Sequence, residues 1–170
     1  MTSLDIRSFL CKWISSLGYK AIQFPTNTPA PSGLYIAVSS GMVSQYGAMT
    51  NPGPDDSGTK KRIVQNVISI TLNEVEGDGD ALRAIKNSLQ SKEFRDYAKS
   101  ELQGEDLNFD TGVSIWEIGD IVDISVKDGD FNIKQFTMKF DVNFNDIISS
   151  PVSKKILSVS GTIGNENFET

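Results

Sequence analysis

Two stretches of this chain alternate apolar and polar residues over more than two turns' worth of positions, a pattern that only a sheet with one buried face satisfies. In residues 63–75 (IVQNVISITLNEV), Val64, Ile68, Ile70 and Leu72 fall on one side, and β-branched residues are abundant. That predicts a long central strand. In residues 131–144, Phe136, Met138, Phe140, Val142 and Phe144 occupy even positions, whereas Phe131 and Ile133 occupy odd ones. The switch predicts a β-bulge at Lys134–Gln135, because without it five large side chains would face water. Residues 121–126 precede this run across Asp128-Gly129, a dipeptide suited to a two-residue type I′ turn. The implied register pairs Lys127 with Asp130, Val126 with Phe131, Ile124 with Ile133 and Asp123 with Lys134, placing apolar pairs on one face and opposite charges on the other.

The clearest helix lies near the N-terminus, where Ile6, Phe9, Leu10, Trp13, Ile14 and Leu17 form one apolar stripe at helical spacing. Thr2 and Asp5 fit a capping pattern, and Gly18 stands where a left-handed residue would end the helix. Trp13 reads as core, and Cys11 as a small residue on the helix flank with no activating neighbour. A second helix is expected after EGDGDA, capped by Asp78 or Asp80, with Leu82, Ile85, Leu89, Phe94 and Tyr97 on its buried side. Residues 19–24 and 34–43 read as strands joined by an irregular connector with prolines at 25, 29 and 31. Residues 113–117 and 155–163 are further strands, and Trp116 is either core or interface. Residues 146–150 read as short helical or irregular chain, and 164–170 as a polar, frayed tail. The expected fold is a single α+β domain over residues 1–170, with two helices packed on a mostly antiparallel twisted sheet and a long exposed loop.

That loop, residues 44–62, is rich in Gly, Pro, Asp, Asn and Ser and has too little apolar content to pack. It carries Tyr46 and Met49, residue types that favour interfaces, together with Asp55, Asp56, Lys60, Lys61 and Arg62. These seven residues are the candidate assembly interface. A partner-binding loop that orders on assembly is the expectation.

Composition narrows the chemistry. The 170 residues include no His and one Cys. Ser-His-Asp, Cys-His and His-based zinc chemistry are therefore excluded, and so is an intramolecular disulfide. The acidic pairs Asp55-Asp56, Asp78/Asp80 and Asp128/Asp130 all sit in predicted turns, where ordinary turn chemistry accounts for them. The run Glu74, Glu76, Asp78, Asp80 lacks the ligand spacing of a calcium loop. No Gly-rich phosphate motif is present. No catalytic residue, cofactor or metal is expected, and an enzyme is the least favoured class. The first residues lack the features of a signal peptide and no run approaches a membrane span, so a reducing cytoplasm is the expected place of synthesis. Net charge is −6, with +3 over residues 1–62 and −9 over the remainder. One basic cluster, Lys60-Lys61-Arg62, beside an acidic pair does not make a nucleic-acid grip, but an acidic surface suits a protein that surrounds DNA without retaining it.

The order of these features resembles the neck or tail terminator proteins of tailed bacteriophages, also called tail-completion proteins. The resemblance is carried by the aromatic N-terminal helix (IRSFLCKWISSLG), the connector and strand NTPAPSGLYIAV, the long Gly/Pro/Asp loop, NVISITLNEVEGDGDAL and the Phe-alternating FTMKFDVNF. It is one of layout over most of residues 4–145. It implies a homo-oligomeric, hexameric ring in the virion neck, assembled in the host bacterial cytoplasm. The ring would cap the tail tube and join it to the head–tail connector, beside the sheath where a tail has one. Genomic DNA would pass through without sequence-specific binding. The alternatives are a tail tube or other ring-forming tail subunit and, from another class, a monomeric module that binds an extended peptide at its sheet edge.

Overall fold

The computed structural model describes residues 3–27, 29–45, 60–102, 113–128, 131–150, 160–163 and 166–169. The chain divides into two compact units, Met1–Ala48 with Val64–Asp146, and Met49–Ile63 with Ile147–Thr170.

The first unit opens with α1 (Ser3–Ser16), whose predicted stripe is the buried one: Ile6, Phe9, Leu10, Trp13 and Ile14 are all inside. Gly18 ends the helix at φ 90°. Its N–H reaches the Ser15 carbonyl at 3.0 Å and the Tyr19 N–H reaches Ile14 at 3.3 Å, the paired closure that a left-handed residue makes available. Thr2 and the Asp5 side chain lie outside what the structure describes. β1 (Ala21–Gln23) then pairs in parallel with β2 (Tyr35–Gln45), and β2 pairs antiparallel with β3 (Lys60–Val75).

Two helices follow β3 where one was expected, α2 (Asp80–Leu89) and α3 (Lys92–Leu102). The chain breaks at Gln90-Ser91 because the Ser91 hydroxyl accepts the Phe94 N–H at 3.1 Å, starting a new helix. Phe94 then packs edge-on to Trp13 at 5.3 Å, while Tyr97 stacks on Phe9 at 5.3 Å. The Trp13 indole N–H is satisfied by the Ser88 hydroxyl at 3.1 Å. This aromatic cluster ties α1 to the other two helices.

The remaining strands are β4 (Ser114–Trp116), β5 (Val122–Asp123), β6 (Val126–Asp128), β7 (Phe131–Ile133) and β8 (Gln135–Ser150). The main sheet runs β1-β2-β3-β8-β4, with β5 also on β8. The helices cover one face of it. Even positions of β3 and β8 point into that core, from Ile68, Ile70 and Leu72 to Met138, Phe140, Val142 and Phe144. The architecture is an α+β fold with three helices on a mostly antiparallel sheet.

Several local expectations are corrected. The hairpin register is displaced by two residues: Val126 opposes Ile133 and Asp128 opposes Phe131, leaving Gly129 and Asp130 between the strands. An even shift keeps every side chain on its face, so the alternation could not reveal it. No residue is inserted at Lys134–Gln135 either. Val122 opposes Thr137 and Asp123 opposes Phe136, in the same register as β6–β7. The ladder is merely interrupted, because the Ser125 N–H is taken by Asp123 Oδ1 at 2.8 Å and its hydroxyl instead meets the Gln135 N–H at 3.0 Å. The bulge sits in β2, where Gly41 and Met42 together oppose Ser69. The predicted loop is shorter at both ends, since β2 runs to Gln45 and β3 begins at Lys60. Residues 146–150 continue β8 as strand.

In the second unit β9 (Ser160–Ile163) and β10 (Glu166–Glu169), the latter within the polar tail, form an antiparallel pair. Residues 60–63 of β3 and 147–150 of β8 belong to this unit as well.

The helix after β3 is capped by neither Asp78 nor Asp80. Its N-cap is Gly79, at φ 88°, which offers no side chain. The fully buried Glu74, on the last turn of β3's inward face, does the work of both halves of a capping box. Its Oε1 accepts the Gly79 N–H and its Oε2 the Leu82 N–H, each at 2.9 Å. Asp78 has the lesser task of accepting the Asp80 N–H at 3.2 Å. A Cβ on Gly77 would lie 1.8 Å from Glu74 Oε1, so glycine there makes room for the carboxylate.

Glu74→Gln leaves one amide N–H facing an NH2 group in the core, and should cost about 2–3 kcal/mol of unfolding free energy. Gly77→Ala should cost a similar amount by displacing the carboxylate, and the double variant little more than either single one. Urea unfolding followed by circular dichroism measures all three; full additivity would show that the two residues act separately.

Candidate assembly surface

With one face of the main sheet covered by helices, the other carries the odd positions of β3 and β8 and those of β2 up to its bulge. Its centre is polar and short-chained, and two of its hydroxyls bond within the sheet. Ser39 donates to the Thr71 carbonyl at 3.2 Å, and Ser69 to Asp141 Oδ1 at 2.6 Å. One end of the same face is different. Val122, Ile124, Val126 and Ile133 alternate along the β5–β7 ribbon and are 51%, 39%, 57% and 49% exposed. Gln135, hydrogen-bonded through its carbonyl to the Ile124 N–H at 2.9 Å, leads from this ribbon to a groove of about 280 Å³.

The groove crosses the ends of β1, β2, β3 and β8. Ile22, Ala37 and Val75 contribute its apolar lining, Tyr35 and Phe24 its aromatic one, and Asn73 with Gln135 its amide groups. Among the described residues, no charged side chain lines it. Phe24 is half exposed although its backbone is held on both sides. Its N–H donates to the Val38 carbonyl at 2.8 Å and its own carbonyl accepts from Arg7 Nη1 at 2.8 Å. A large side chain held in the open by fixed backbone loses little freedom when it is covered.

None of the seven residues singled out from the loop falls on this band within the described structure. Tyr46, Met49, Asp55 and Asp56 lie outside the described residues, and Lys60, Lys61 and Arg62 are the first residues of β3 rather than loop. Trp116, which sequence left open between core and interface, lies opposite Asp141 and is 38% exposed. The band itself was missed. The alternation of Val122, Ile124 and Val126 was visible in the sequence, but alternation is the same whether the face it marks is buried or open.

Among the described residues, no three Cys, Asp or Glu side chains cluster so as to hold a metal ion, and no helix is long and apolar enough to cross a membrane. Three of the acidic groups have ion-pair partners nearby: Asp80 pairs with Arg83, Asp120 with Lys86 at 3.6 Å, and Glu101 with Lys12 at 3.3 Å. The hydrogen bonds that Ser125 gives Asp123, side chain first and then backbone, hold that carboxyl below its usual range.

Cys11, packed against the core, is pushed by burial from the ordinary 9.0 to about 11, with Arg7 opposing the shift only in part. The folded state thus favours the neutral thiol. Its contribution to stability is complete below pH 9 and declines as pH climbs towards 11. At pH 8 the folded chain should react with iodoacetamide about 100-fold more slowly than the urea-unfolded chain; equal rates would contradict a buried neutral thiol.

No protein-family model matches the chain, and no curated protein matches it.

Proposed function

We propose that this chain is a structural subunit of a tailed-bacteriophage neck, a tail terminator that assembles into a hexameric ring, caps the tail tube and meets the head–tail connector. The observation that carries the reading is the exposed apolar band from Phe24 through the groove to Val126 and Ile133. A monomer of this size does not ordinarily leave such a run of large aliphatic and aromatic side chains on one sheet face, whereas a subunit covered by its neighbours does. A cyclic ring uses a heterologous contact, one surface of each copy against a different surface of the next. The band supplies one such surface, and residues 46–59, with Tyr46 and Met49, remain the proposal's second contact. The net charge of −6 suits a conduit through which DNA slides without being held. The resemblance in layout to terminators, described above, supplies the virion setting.

The wild-type chain should give a discrete ring by light scattering, or a monomer that forms a single ring at one end of added tail tubes under negative stain. Val126→Lys with Ile133→Glu should abolish the ring while changing unfolding free energy by less than about 1 kcal/mol, since both residues are half exposed and the charges set opposite each other attract. Stacked rings would instead identify a tube subunit. A strict monomer indifferent to tubes would overturn the ring altogether.

A further inference from the structure

The bulge in β2 sets one side chain apart. Ser40 opposes Ile70 on the face that the helices cover, so an unbroken alternation would bring Met42 opposite Ile68 on that same face. The extra residue gives that place to Val43 instead. Bulges re-aim side chains in this way, and Met42 is left 90% exposed, the most open of the large apolar side chains among the described residues.

The groove beside the apolar band makes a specific demand. Its volume is about 280 Å³, Phe24 and Tyr35 give it two aromatic walls, and among the described residues no charged side chain lines it. A charged occupant would give up its hydration there without compensation, so the groove selects an uncharged one. Outside the band, three large apolar side chains are exposed among the described residues: Met42, Val43 and Trp116. Trp116 stands directly across from Asp141 and would carry that carboxylate towards the groove. Met42 lies in a strand, Tyr35–Gln45, that contains no charged residue. An unbranched, polarizable thioether also fills irregular gaps and favours contact with aromatic rings. Its own chain's groove is out of reach. Met42 is not among the lining residues, and the strand from Ala37, which is, to Met42 spans about 16 Å.

We propose that Met42 of one copy of this chain enters the groove of a second copy and packs against Phe24 and Tyr35 there. Knob and groove are different surfaces of one subunit, so the contact is heterologous and passes from each copy to the next. The inference rests on the ring reading for its occupant, a second copy, and adds the side chain that meets the groove.

The test uses the full chain and two variants with opposite defects. Met42→Glu puts a charge on the knob, at a site open to solvent, and Asn73→Asp puts a charge in the groove by a nearly isosteric change. Circular dichroism checks the fold of each, and Gln135→Glu replaces Asn73→Asp if the latter does not keep it. By light scattering, each variant alone should self-associate at least about tenfold more weakly than wild type, the effect of leaving one methionine side chain unburied. Mixed one to one, they should form complexes of two chains and no larger. The intact knob of one enters the intact groove of the other, and the junction left over sets carboxylate against carboxylate. If the wild-type chain assembles and either variant assembles equally well, or the mixture gives no pairs, the inference is overturned and the ring stands. Wild-type copies that join only as pairs or open filaments, and lose this with Met42→Glu, would uphold the contact and overturn the ring. A wild-type chain that stays monomeric throughout would overturn both.

Discussion

The carboxylate of Glu74 is the interaction on which the layered arrangement depends. It sits at the end of the central strand, has no exposure to solvent and closes the N-terminus of α2 with two hydrogen bonds of 2.9 Å. A buried carboxylate costs several kcal/mol of desolvation unless its oxygens are satisfied, and a helix N-terminus leaves N–H groups needing acceptors. Here each requirement meets the other, and the positive end of the helix dipole favours the charge. The result fixes where α2 begins relative to β3. From that start, Leu82, Ile85 and Leu89 face the sheet, and α3 then carries Phe94 and Tyr97 to Phe9 and Trp13. The GDG sequence of residues 77–79 follows from the same constraint. Gly77 leaves space for the carboxylate, and Gly79 takes a left-handed turn with its missing Cβ only 3.2 Å from Phe136.

This explains which parts of the fold were legible in the sequence. The α1 stripe, the inward faces of β3 and β8 and the placement of Gly18 all follow from periodicity or from backbone chirality, which act locally. The Glu74 cap spans five and eight residues and links a strand to a helix, so Asp78 and Asp80, the nearer acids, were the natural reading. The displaced hairpin has a related origin. Pairing Val126 with Phe131 or with Ile133 keeps the same residues on the same face, and only the bonding of Ser125 to Asp123 and Gln135 distinguishes them. The expected bulge rested on the assumption that every large apolar residue is buried. Ile133 is half exposed, and without that assumption no change of parity is needed.

The candidate surface was less legible for the same reason. Sequence marks which side chains share a face, but whether that face is covered depends on what packs against it. Three helices seal the even positions, and no described element in the first unit covers the odd ones at the Val126–Ile133 end. The two faces therefore share a spacing of apolar residues and differ in fate. Residue type alone pointed to the segment around Tyr46 and Met49, where interface-favouring residues stand among turn formers.

The contrast within the open face bears on what it can do. Across its middle, Ser39, Ser69 and Asp141 spend their hydrogen-bonding capacity inside the sheet, so a partner laid there would find few groups to bond and little apolar area to cover. At the end, Phe24 is held by backbone bonds on both sides, and Val126 and Ile133 stand as a cross-strand pair. Their exposed area is already ordered, which lowers the entropic cost of covering it. A partner therefore gains most by meeting the band and little by extending across the face. Such a contact is narrow and directional, a geometry suited to repeating the same junction from one subunit to the next.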